Sequence, residues 1–255
     1  MTPELNSIIK IVKDASRIML SAHDAENAVT AKEGKKNYVT KFDVAVQTYL
    51  FEHLGERFPT AVFMGEEGTE HAESKALRFI IDPIDGTTNF IQNYRCSAIS
   101  VALCEGDSIL KGVVYNPYTD ELFYAEAGQG AFYNGKPIHV SDRTLADGMA
   151  LVGTCPYHPE NTDATFALIR RVFDYSRDIR RSGSAAYDIC CVAQGRAEVF
   201  FEQELQPWDY AAGTLLVREA GGRCETYDGH DPCLSHGSDV AFANPQAFEE
   251  FKKLL

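Results

Sequence analysis

The chain has 255 residues, of which 45% are hydrophobic and 24% are charged. That length and apolar content are enough for a large core, and they favour one or two globular domains over a disordered or repetitive chain. Aspartate and glutamate number 37 against 24 lysines and arginines, giving a formal net charge of −13. A field of that sign argues against nucleic acid or an anionic membrane as the main partner.

The cysteines and the N-terminal residues indicate the cellular compartment of the protein. The seven cysteines are odd in number and include no C-x-x-C pair, which argues against a disulfide framework or a zinc knuckle and favours a reducing cytoplasm. Apolar residues recur at helical spacing over residues 1–20, with charged residues between them, which predicts a surface helix rather than a secretion signal. No uncharged apolar run approaches the roughly 18 residues of a membrane span. We therefore expect a cytoplasmic protein.

Two helices and two short strands are predicted in the first part of the chain. After the first helix, the polar residues 31–37 predict an exposed loop or hairpin tip. Thr40 precedes a second predicted helix, which ends before Pro59. Short apolar strands are predicted at 61–64 and 79–81, and each is followed directly by acidic residues.

The middle of the chain changes to short strands separated by turn residues, which predicts an antiparallel meander. The predicted strands are 98–103, 110–115, 121–125, 130–133 and 137–140. The polar segment 143–148 is a candidate boundary. We expect an N-terminal α+β subdomain over 1–145, carrying most of the metal ligands, and a C-terminal α/β subdomain over 146–255 that completes the active site.

The C-terminal part is predicted to alternate strands and helices, a pattern typical of stacked layers of sheet and helix. In order, the predictions are a strand at 150–153, helices at 164–174 and 184–194, a strand at 197–201, a helix at 209–220, a strand at 240–243 and a helix at 245–255.

The densest cluster of reactive groups is the run DPIDGTTN at residues 82–89. Pro83 cannot continue a strand ladder and fixes its own φ, so we expect the chain to turn there. The turn would direct the carboxylates of Asp82 and Asp85 and the carbonyl of Ile84 toward one point. Oxygen ligands of this kind suit Mg²⁺.

Gly86 and Thr87 follow directly and offer successive backbone N–H groups and a hydroxyl, a usual phosphate cradle. The alternative is an acidic surface turn in which an aspartate caps the chain, which is common in proteins. We interpret the segment as a metal and phosphate site because two distant acidic segments accompany it.

These two segments are Gly65-Glu66-Glu67, after the first short strand, and Trp208-Asp209, at the start of a predicted helix. Each has a plainer interpretation when taken alone. The glutamates can be solvated turn residues, and Asp209 can serve the helix dipole as an N-terminal acid.

Taken together, the three segments resemble the inositol monophosphatase family of Mg²⁺-dependent, typically lithium-sensitive phosphatases. The matching residues are 65–67, 82–90, and 208–209 running into 219–222, and their order and spacing match the family from about residue 35 to the C terminus. The resemblance implies an α+β fold, a layered αβαβα sandwich of the sugar-phosphatase type. It also implies Mg²⁺ as cofactor, a small-molecule phosphate ester as substrate and a homodimer.

The family resemblance also implies the roles of individual residues. Glu66, Asp82 and the carbonyl of Ile84 would hold one metal ion, and Asp82 would bridge to a second ion completed by Asp85 and Asp209. Two-metal hydrolases hold such ions about 3.5–4 Å apart. Glu66 together with Thr87 would orient the attacking water, which makes these two the catalytic residues. The implied substrate-binding residues are Asp85, Gly86, Thr87, Gly183, Ser184, Ala185, Glu202 and Asp209.

Three residues are candidates for a third metal or for an outer shell around the ligands. Thr40-x-x-Asp43 is similar to a capping box, the plainer role for Asp43, although the family has an aspartate in this region near a loosely held metal. Glu67 is expected to lie in the outer shell, next to the metal ligands and not in contact with the metal itself. Lys36 can lean over the site or remain a solvated charge.

The substrate is left open, because residues 153–158 (GTCPYH) match no pattern that we assign. We expect a Mg²⁺-dependent phosphomonoesterase acting on inositol monophosphate or a related small polyol or sugar phosphate. Alternatives within the superfamily are a fructose-bisphosphatase, a nucleotide 3′-phosphatase or a histidinol-phosphatase. An alternative of another class is a catalytically silent, metal-binding regulatory protein, against which the intact set of acidic residues argues.

Overall fold

The protein was analysed as a computed structural model that describes residues 1–22, 29–31, 38–68 and 77–255. The helices in these ranges are α1 (Pro3–Leu20), α2 (Lys41–Arg57), α3 (Thr87–Ile91), α4 (Thr162–Tyr175), α5 (Ala185–Ala193), α6 (Pro207–Glu219) and α7 (Pro245–Phe251). The strands are β1 (Val29–Ala31), β2 (Tyr38–Thr40), β3 (Val62–Gly65), β4 (Leu77–Asp85), β5 (Ala98–Glu105), β6 (Ser108–Asn116), β7 (Glu121–Glu126), β8 (Ala131–Tyr133), β9 (Lys136–Ile138), β10 (Met149–Val152), β11 (Asp178–Arg180), β12 (Val199–Leu205), β13 (Arg223–Thr226) and β14 (Ser238–Ala243).

The first large sheet has seven strands in the order β3-β4-β5-β6-β7-β8-β9. β3 and β4 are parallel, and every later neighbour pairs antiparallel, so the predicted meander is confirmed. Strand β4 does not end at residue 81 as predicted but continues through Pro83 to Asp85. Its register with β5 shifts between Asp82 and Asp85. An irregularity of this kind accommodates a proline within a sheet, since the missing N–H falls where the ladder is already interrupted.

The second large sheet has five strands in the order β11-β10-β12-β14-β13. β10 is parallel to both β11 and β12, whereas β14 is antiparallel to both β12 and β13. The edge strands β11 and β13 were not predicted. Both are short and carry charged side chains, which is how natural sheets protect their edges from further pairing and which hides the apolar pattern of a strand.

Helices cover both sheets on both faces. α1 and α2 pack with the outer face of the first sheet in one apolar cluster, in which Val12 and Leu50 are fully buried. α5 and α6 lie between the sheets and contact both of them. α4 and α7 close the outer face of the second sheet. The layered αβαβα sandwich predicted from the sequence is therefore confirmed.

The central helix α6 is apolar on nearly every side because it lies between two sheets. Its small residues Ala211, Ala212 and Gly213 are buried, and they allow the backbone to approach the neighbouring elements closely. α1 shows the contrasting surface pattern, with a stripe of buried residues facing the sheet. Its first turn is capped by the Thr2 hydroxyl, which accepts from the N–H of Leu5.

Strands β1 and β2 pair antiparallel, as expected for the flanks of a hairpin; the predicted loop residues 32–37 lie outside the described residues. Residues 139–148 join the two large sheets, and a division into two subdomains near residue 145 stays a prediction. Among the described parts of the chain, no helix combines the length and apolarity that a membrane crossing needs.

Candidate metal centre

Three aspartates from two distant parts of the chain meet beside one cavity. One carboxylate oxygen each from Asp82, Asp85 and Asp209 lies within 4.8 Å of the others. Carboxylate oxygens at this spacing can share a cation, and oxygen-only donors suit a hard ion such as Mg²⁺. Asp82 and Asp85 come from the end of β4, and Asp209 comes from the first turn of α6.

Asp82 is 2% exposed. Its Oδ1 atom accepts a hydrogen bond of 2.9 Å from the N–H of Ile84, which fixes the orientation of the carboxyl group. Burial, followed by the negative charges of Glu66, Asp85 and Asp209, raises the pKa of Asp82 well above its ordinary value. Several negative charges buried together destabilise the folded protein unless a bound cation neutralises them.

Asp85 is held by the start of helix α5, which lies about a hundred residues further along the chain. Its carboxylate accepts hydrogen bonds from the Ser184 hydroxyl at 2.5 Å and from the N–H groups of Ala185 and Ala186 at 3.2 and 2.8 Å. Burial raises the pKa of Asp85 to about 6, although these hydrogen bonds act in the opposite direction. Asp85 therefore joins the first sheet to α5 at the site and caps that helix at the same time.

Asp209 is the third residue of α6 and accepts a hydrogen bond of 2.9 Å from the N–H of Gln206. The interpretation as a helix-capping acid is thus confirmed, and the same carboxyl group also reaches the cluster with Asp82 and Asp85. Burial, then the charges of Asp85 and Glu66, raises the pKa of Asp209 well above its usual range.

Glu66 and Glu67 follow β3, the strand next to β4. Glu66 lines the same cavity as the three aspartates, and its N–H donates to the carbonyl of Ile81 on β4. The main chain of Glu67 is held by Gln47 of α2, which accepts from its N–H at 3.0 Å and donates to its carbonyl. Glu66 thus faces the site, whereas Glu67 is not among the residues lining the cavity.

Thr87 is oriented by its neighbours. Its hydroxyl lies 3.2 Å from the carbonyl oxygen of Ile84 and 3.3 Å from Oδ1 of Asp43, and both of these atoms can only accept a hydrogen bond. The single hydroxyl proton is therefore directed at them, which leaves the lone pairs of Oγ1 for a donor in the cavity.

Asp43 is fully buried and completes the predicted capping box. It accepts from the N–H of Thr40 at 2.8 Å and from its hydroxyl at 2.5 Å. Asp43 is absent from the described lining of the cavity, so it reaches the site through its contact with Thr87. Lys36 lies outside the described residues.

Gly86 has φ +86°, a left-handed conformation that favours glycine. A Cβ atom there would lie 3.0 Å from the Gly183 carbonyl oxygen and 3.1 Å from that of Cys96, so the close approach also requires glycine. Asn89 ties the same two segments together, because its side-chain amide donates to the carbonyls of Cys96 at 2.7 Å and Ser182 at 2.9 Å.

The cavity has a volume of about 380 Å³ and includes almost all of the predicted site residues. The predicted residues that line it are Glu66, Asp82, Ile84, Asp85, Gly86, Thr87, Gly183, Ser184, Ala185, Glu202 and Asp209. Glu202, on β12, accepts a hydrogen bond of 2.9 Å from the N–H of Cys155. Burial raises the pKa of Glu202 to about 7, although that N–H and the charge of Arg181 oppose the shift.

Sequence reasoning gave no role to two ionisable residues that also line the cavity, Tyr157 and Asp188. Asp188 is 3% exposed and accepts from the N–H of Ser182, and burial raises its pKa to about 7. The sequence does contain a signal for Asp188, because it is a single acidic residue beside Ile189, Cys190 and Cys191 in an otherwise apolar helix. Tyr157 had no signal, because only the fold brings its segment to the cavity.

The donor set fits a metal ion. In the described ranges, no lysine or arginine forms an ion pair with Asp82, Asp85 or Asp209. Buried charges are normally paired or bound to metals. Burial is the first cause of the raised pKa values of all three aspartates, and for Asp82 and Asp209 the neighbouring negative charges add to it.

The layered αβαβα fold, with buried carboxylates gathered around one cavity, is of the sugar-phosphatase type, and this is the class of fold to which the chain belongs. Comparison with known proteins gives the family. A family model described as the inositol monophosphatase family matches residues 2–254. The chain belongs to that family.

Individual relatives span nearly the whole chain. The inositol-1-monophosphatase of Rhizobium meliloti is 38% identical over 239 residues, covering 92% of this chain and 90% of the relative. A protein of Escherichia coli named Nus factor SuhB is 35% identical over 249 residues, covering 96% and 93%. The solved structure of the Thermotoga maritima IMPase is similar with a TM-score of 0.91 and 32% identity, covering 99% of this chain and 96% of that one.

Proposed function

We propose that this protein is a Mg²⁺-dependent phosphomonoesterase that hydrolyses inositol monophosphate or a related small polyol or sugar phosphate. The observation that carries the proposal is the meeting of Asp82, Asp85 and Asp209 at one cavity, with oxygens within 4.8 Å of one another and no cationic partner in the described residues. Membership of the inositol monophosphatase family supports the same conclusion.

The residues that would hold two Mg²⁺ ions are Glu66, Asp82, the carbonyl of Ile84, Asp85 and Asp209. When bound, such ions supply Lewis-acid neutralisation of charge on the phosphoryl group and make water more acidic. We keep Asp43, Glu67 and Lys36 as candidates for a third metal site or for contacts to the metal ligands. For Asp43, the hydrogen bond to Thr87 favours an orienting role.

In this mechanism, Thr87 and Glu66 orient the attacking water. The Thr87 hydroxyl directs its proton at Ile84 and Asp43, so its oxygen can accept a hydrogen bond from water. Glu66 lines the same cavity, and its carboxylate can accept the second proton of that water. The backbone N–H groups of Gly86 and Thr87 bind the phosphate. Positioning and electrostatics then replace a protein nucleophile.

The alcohol part of the substrate is assigned to cavity residues of the C-terminal half of the chain. Gly183, Ser184 and Ala185 line the cavity at the start of α5, and Glu202 offers a carboxylate that can accept hydrogen bonds from hydroxyl groups. This arrangement favours a polyol over an apolar alcohol. Fructose bisphosphate, nucleotide 3′-phosphates and histidinol phosphate are the alternative substrates, since only contacts to the leaving group separate them.

A regulatory, catalytically silent protein is the second candidate, and one observation favours it. Several relatives at 33–35% identity carry the name Nus factor SuhB or putative Nus factor SuhB, which does not designate a phosphatase. The complete acidic set argues for catalysis, because a silent protein would be free to lose one of these residues.

Phosphate release from a panel of phosphate esters, with and without Mg²⁺, decides between these functions. The phosphatase proposal expects Mg²⁺-dependent release, with the fastest rate on inositol monophosphate or another polyol phosphate, and inhibition by millimolar lithium. Absence of Mg²⁺-dependent hydrolysis for every ester would favour the regulatory candidate. The proposal also includes a homodimer in the cytoplasm; light scattering of the purified protein tests the first point. All seven cysteines are free thiols in the structure, which is compatible with a reducing compartment.

A further inference from the structure

The segment Gly153–His158, which matches no sequence pattern that we assign, follows β10 in the second sheet. β10 runs parallel to both of its neighbours, with Leu151 beside Arg180 of β11 and Val152 beside Phe201 of β12. The residues that follow β11 and β10 therefore leave the sheet at the same edge, next to the last part of β12. In open parallel sheets, ligands commonly bind at this edge, and here it forms part of the cavity wall.

The turn after β10 is built around the carboxyl group of Glu202. Gly153 is buried directly against this group, because a Cβ atom at this position would lie only 1.9 Å from Cδ of Glu202. Cys155 has a left-handed φ of +44°, which is unfavourable for a residue with a Cβ atom. In this conformation its N–H donates to Oε1 of Glu202 at 2.9 Å. The turn thus holds the carboxylate that we propose to bind the alcohol.

Arg181 contacts this turn from the neighbouring strand. It follows β11, and its Nε atom donates a hydrogen bond of 3.0 Å to Oγ1 of Thr154. Arg180, one residue earlier, instead pairs with Asp178 of its own strand. Thr154 is the middle residue of the turn, so the Arg181 contact is made directly beside the N–H group that holds Glu202.

Glu202 responds to both parts of this arrangement. Burial raises its pKa to about 7, and the largest opposing influences are the N–H of Cys155 and the positive charge of Arg181. Arg181 and Glu202 both line the cavity. Since the Thr154 hydroxyl connects Arg181 to the turn, loss of that hydroxyl is expected to loosen the hold on the Glu202 carboxylate.

We propose that Arg181 and Thr154 are positioning residues for recognition of the alcohol: their hydrogen bond fixes the turn after β10, and the fixed turn holds Glu202 in place for the hydroxyl groups of a polyol. This inference rests on the proposed phosphatase function. It predicts that the contact between Arg181 and Thr154 affects selectivity between alcohols and leaves the reaction at the phosphate unchanged.

The test measures selectivity, defined as kcat/KM for inositol monophosphate divided by kcat/KM for an aryl phosphate, with Mg²⁺ present. Thr154→Val removes the hydroxyl and keeps the shape of the side chain. Loss of one hydrogen bond corresponds to a factor of roughly two to ten. We expect selectivity to decrease by that factor, through a higher KM for inositol monophosphate, with an unchanged rate on the aryl phosphate. Thr154→Ser, which keeps the hydroxyl, and Thr48→Val, which loses an exposed hydroxyl on α2, are expected to keep the wild-type selectivity.

Two further backgrounds show whether the effect acts through the proposed contacts. In Arg181→Met and in Glu202→Ala, the added change Thr154→Val is expected to cause no further loss of selectivity. The reason is that the hydrogen bond, or the carboxylate on which it acts, is already absent. If Thr154→Val does not fold, as judged by circular dichroism, Arg181→Met tests the same contact by itself.

Wild-type selectivity in Thr154→Val and in Arg181→Met would overturn the inference. An equal loss on both substrates in Thr154→Val would also overturn it, since that result indicates a general defect of the site. Additive losses in the double variants would place the effect outside Glu202 and likewise contradict the inference. Absence of hydrolysis of every ester by the wild type would instead refute the proposed function, and this inference together with it.

Discussion

Replacing Asp82 by Asn tests the electrostatic account of the metal centre, because it removes one charge and keeps the shape of the side chain. The amide oxygen can still accept the hydrogen bond from Ile84, while the amide nitrogen faces Asp85 and Asp209. Two full charges within 4.8 Å of each other repel by about 3 kcal/mol at an effective dielectric constant of about 20. Proton uptake by the wild-type cluster relieves part of this repulsion, so we expect a gain in stability of roughly 1–3 kcal/mol for the metal-free variant.

Thermal unfolding at pH 8 measures this effect. In a chain of this size, each kcal/mol corresponds to about 2–4 °C in Tm, so metal-free Asp82→Asn is expected to unfold several degrees above the metal-free wild type. Excess Mg²⁺ is expected to reverse the order. Binding at a hundred times Kd stabilises the wild type by about 2.7 kcal/mol, and the variant loses most of that gain. Its turnover is expected to fall by more than about a hundredfold.

Asp142→Asn is the matched control, since Asp142 is exposed and lies outside the cavity. It is expected to change neither Tm nor the response to Mg²⁺. Two results would refute the reasoning. One is a metal-free Asp82→Asn protein less stable than the wild type by several degrees, and the other is full stabilisation of that variant by Mg²⁺.

Further predictions concern three features: the proposed contact of Glu202 with the alcohol, the close packing of Gly153 against Glu202, and the pH dependence of stabilisation by Mg²⁺. Glu202→Ala is expected to raise KM for inositol monophosphate more than for an aryl phosphate in steady-state assays; equal effects would argue against a hydroxyl-binding role. A Cβ atom at Gly153 would overlap the Glu202 carboxyl group, so Gly153→Ala is expected to displace Glu202 and to reproduce that change in selectivity. Gly55→Ala is the control, since its Cβ atom would meet only ordinary contacts at 3.8 Å, and it is expected to keep the wild-type selectivity. The pKa of Asp85 is raised from 3.8 to about 6, so its contribution to metal-free stability is present below pH 3.8 and is lost as pH rises through about 6. The increase in Tm on adding Mg²⁺ is therefore expected to be larger at pH 8 than at pH 5; an increase of the same size at both values would contradict this.

Local sequence patterns predicted most of the helices and central strands because each carries its own periodicity. α1 and the β5–β9 meander have apolar spacing and turn residues that need no tertiary information. The short edge strands β11 and β13 lack that pattern. Pro83 was expected to end β4, but the interrupted pairing with β5 accommodates it. Proline does interrupt the hydrogen-bond ladder, as expected, but the result is a shift in register between β4 and β5 and not a turn.

The site was predictable to the extent that its residues are contiguous or belong to a family motif. Asp82 and Asp85 are close in sequence, whereas Glu66 and Asp209 were joined to them only by resemblance. The contacts of Asp85 with Ser184, and of Glu202 with Cys155, join residues 99 and 47 positions apart. No local pattern encodes such pairings.

The position of bound metal tests the central proposal most directly. Anomalous scattering from crystals grown with Mn²⁺, which shares the oxygen preference of Mg²⁺, would locate the ions without an assay. The proposal predicts two peaks about 3.5–4 Å apart, in contact with Asp82, Asp85 and Asp209 and reaching Glu66. Manganese bound elsewhere, with these four carboxylates making no contact to it, would contradict the assignment of a metal centre.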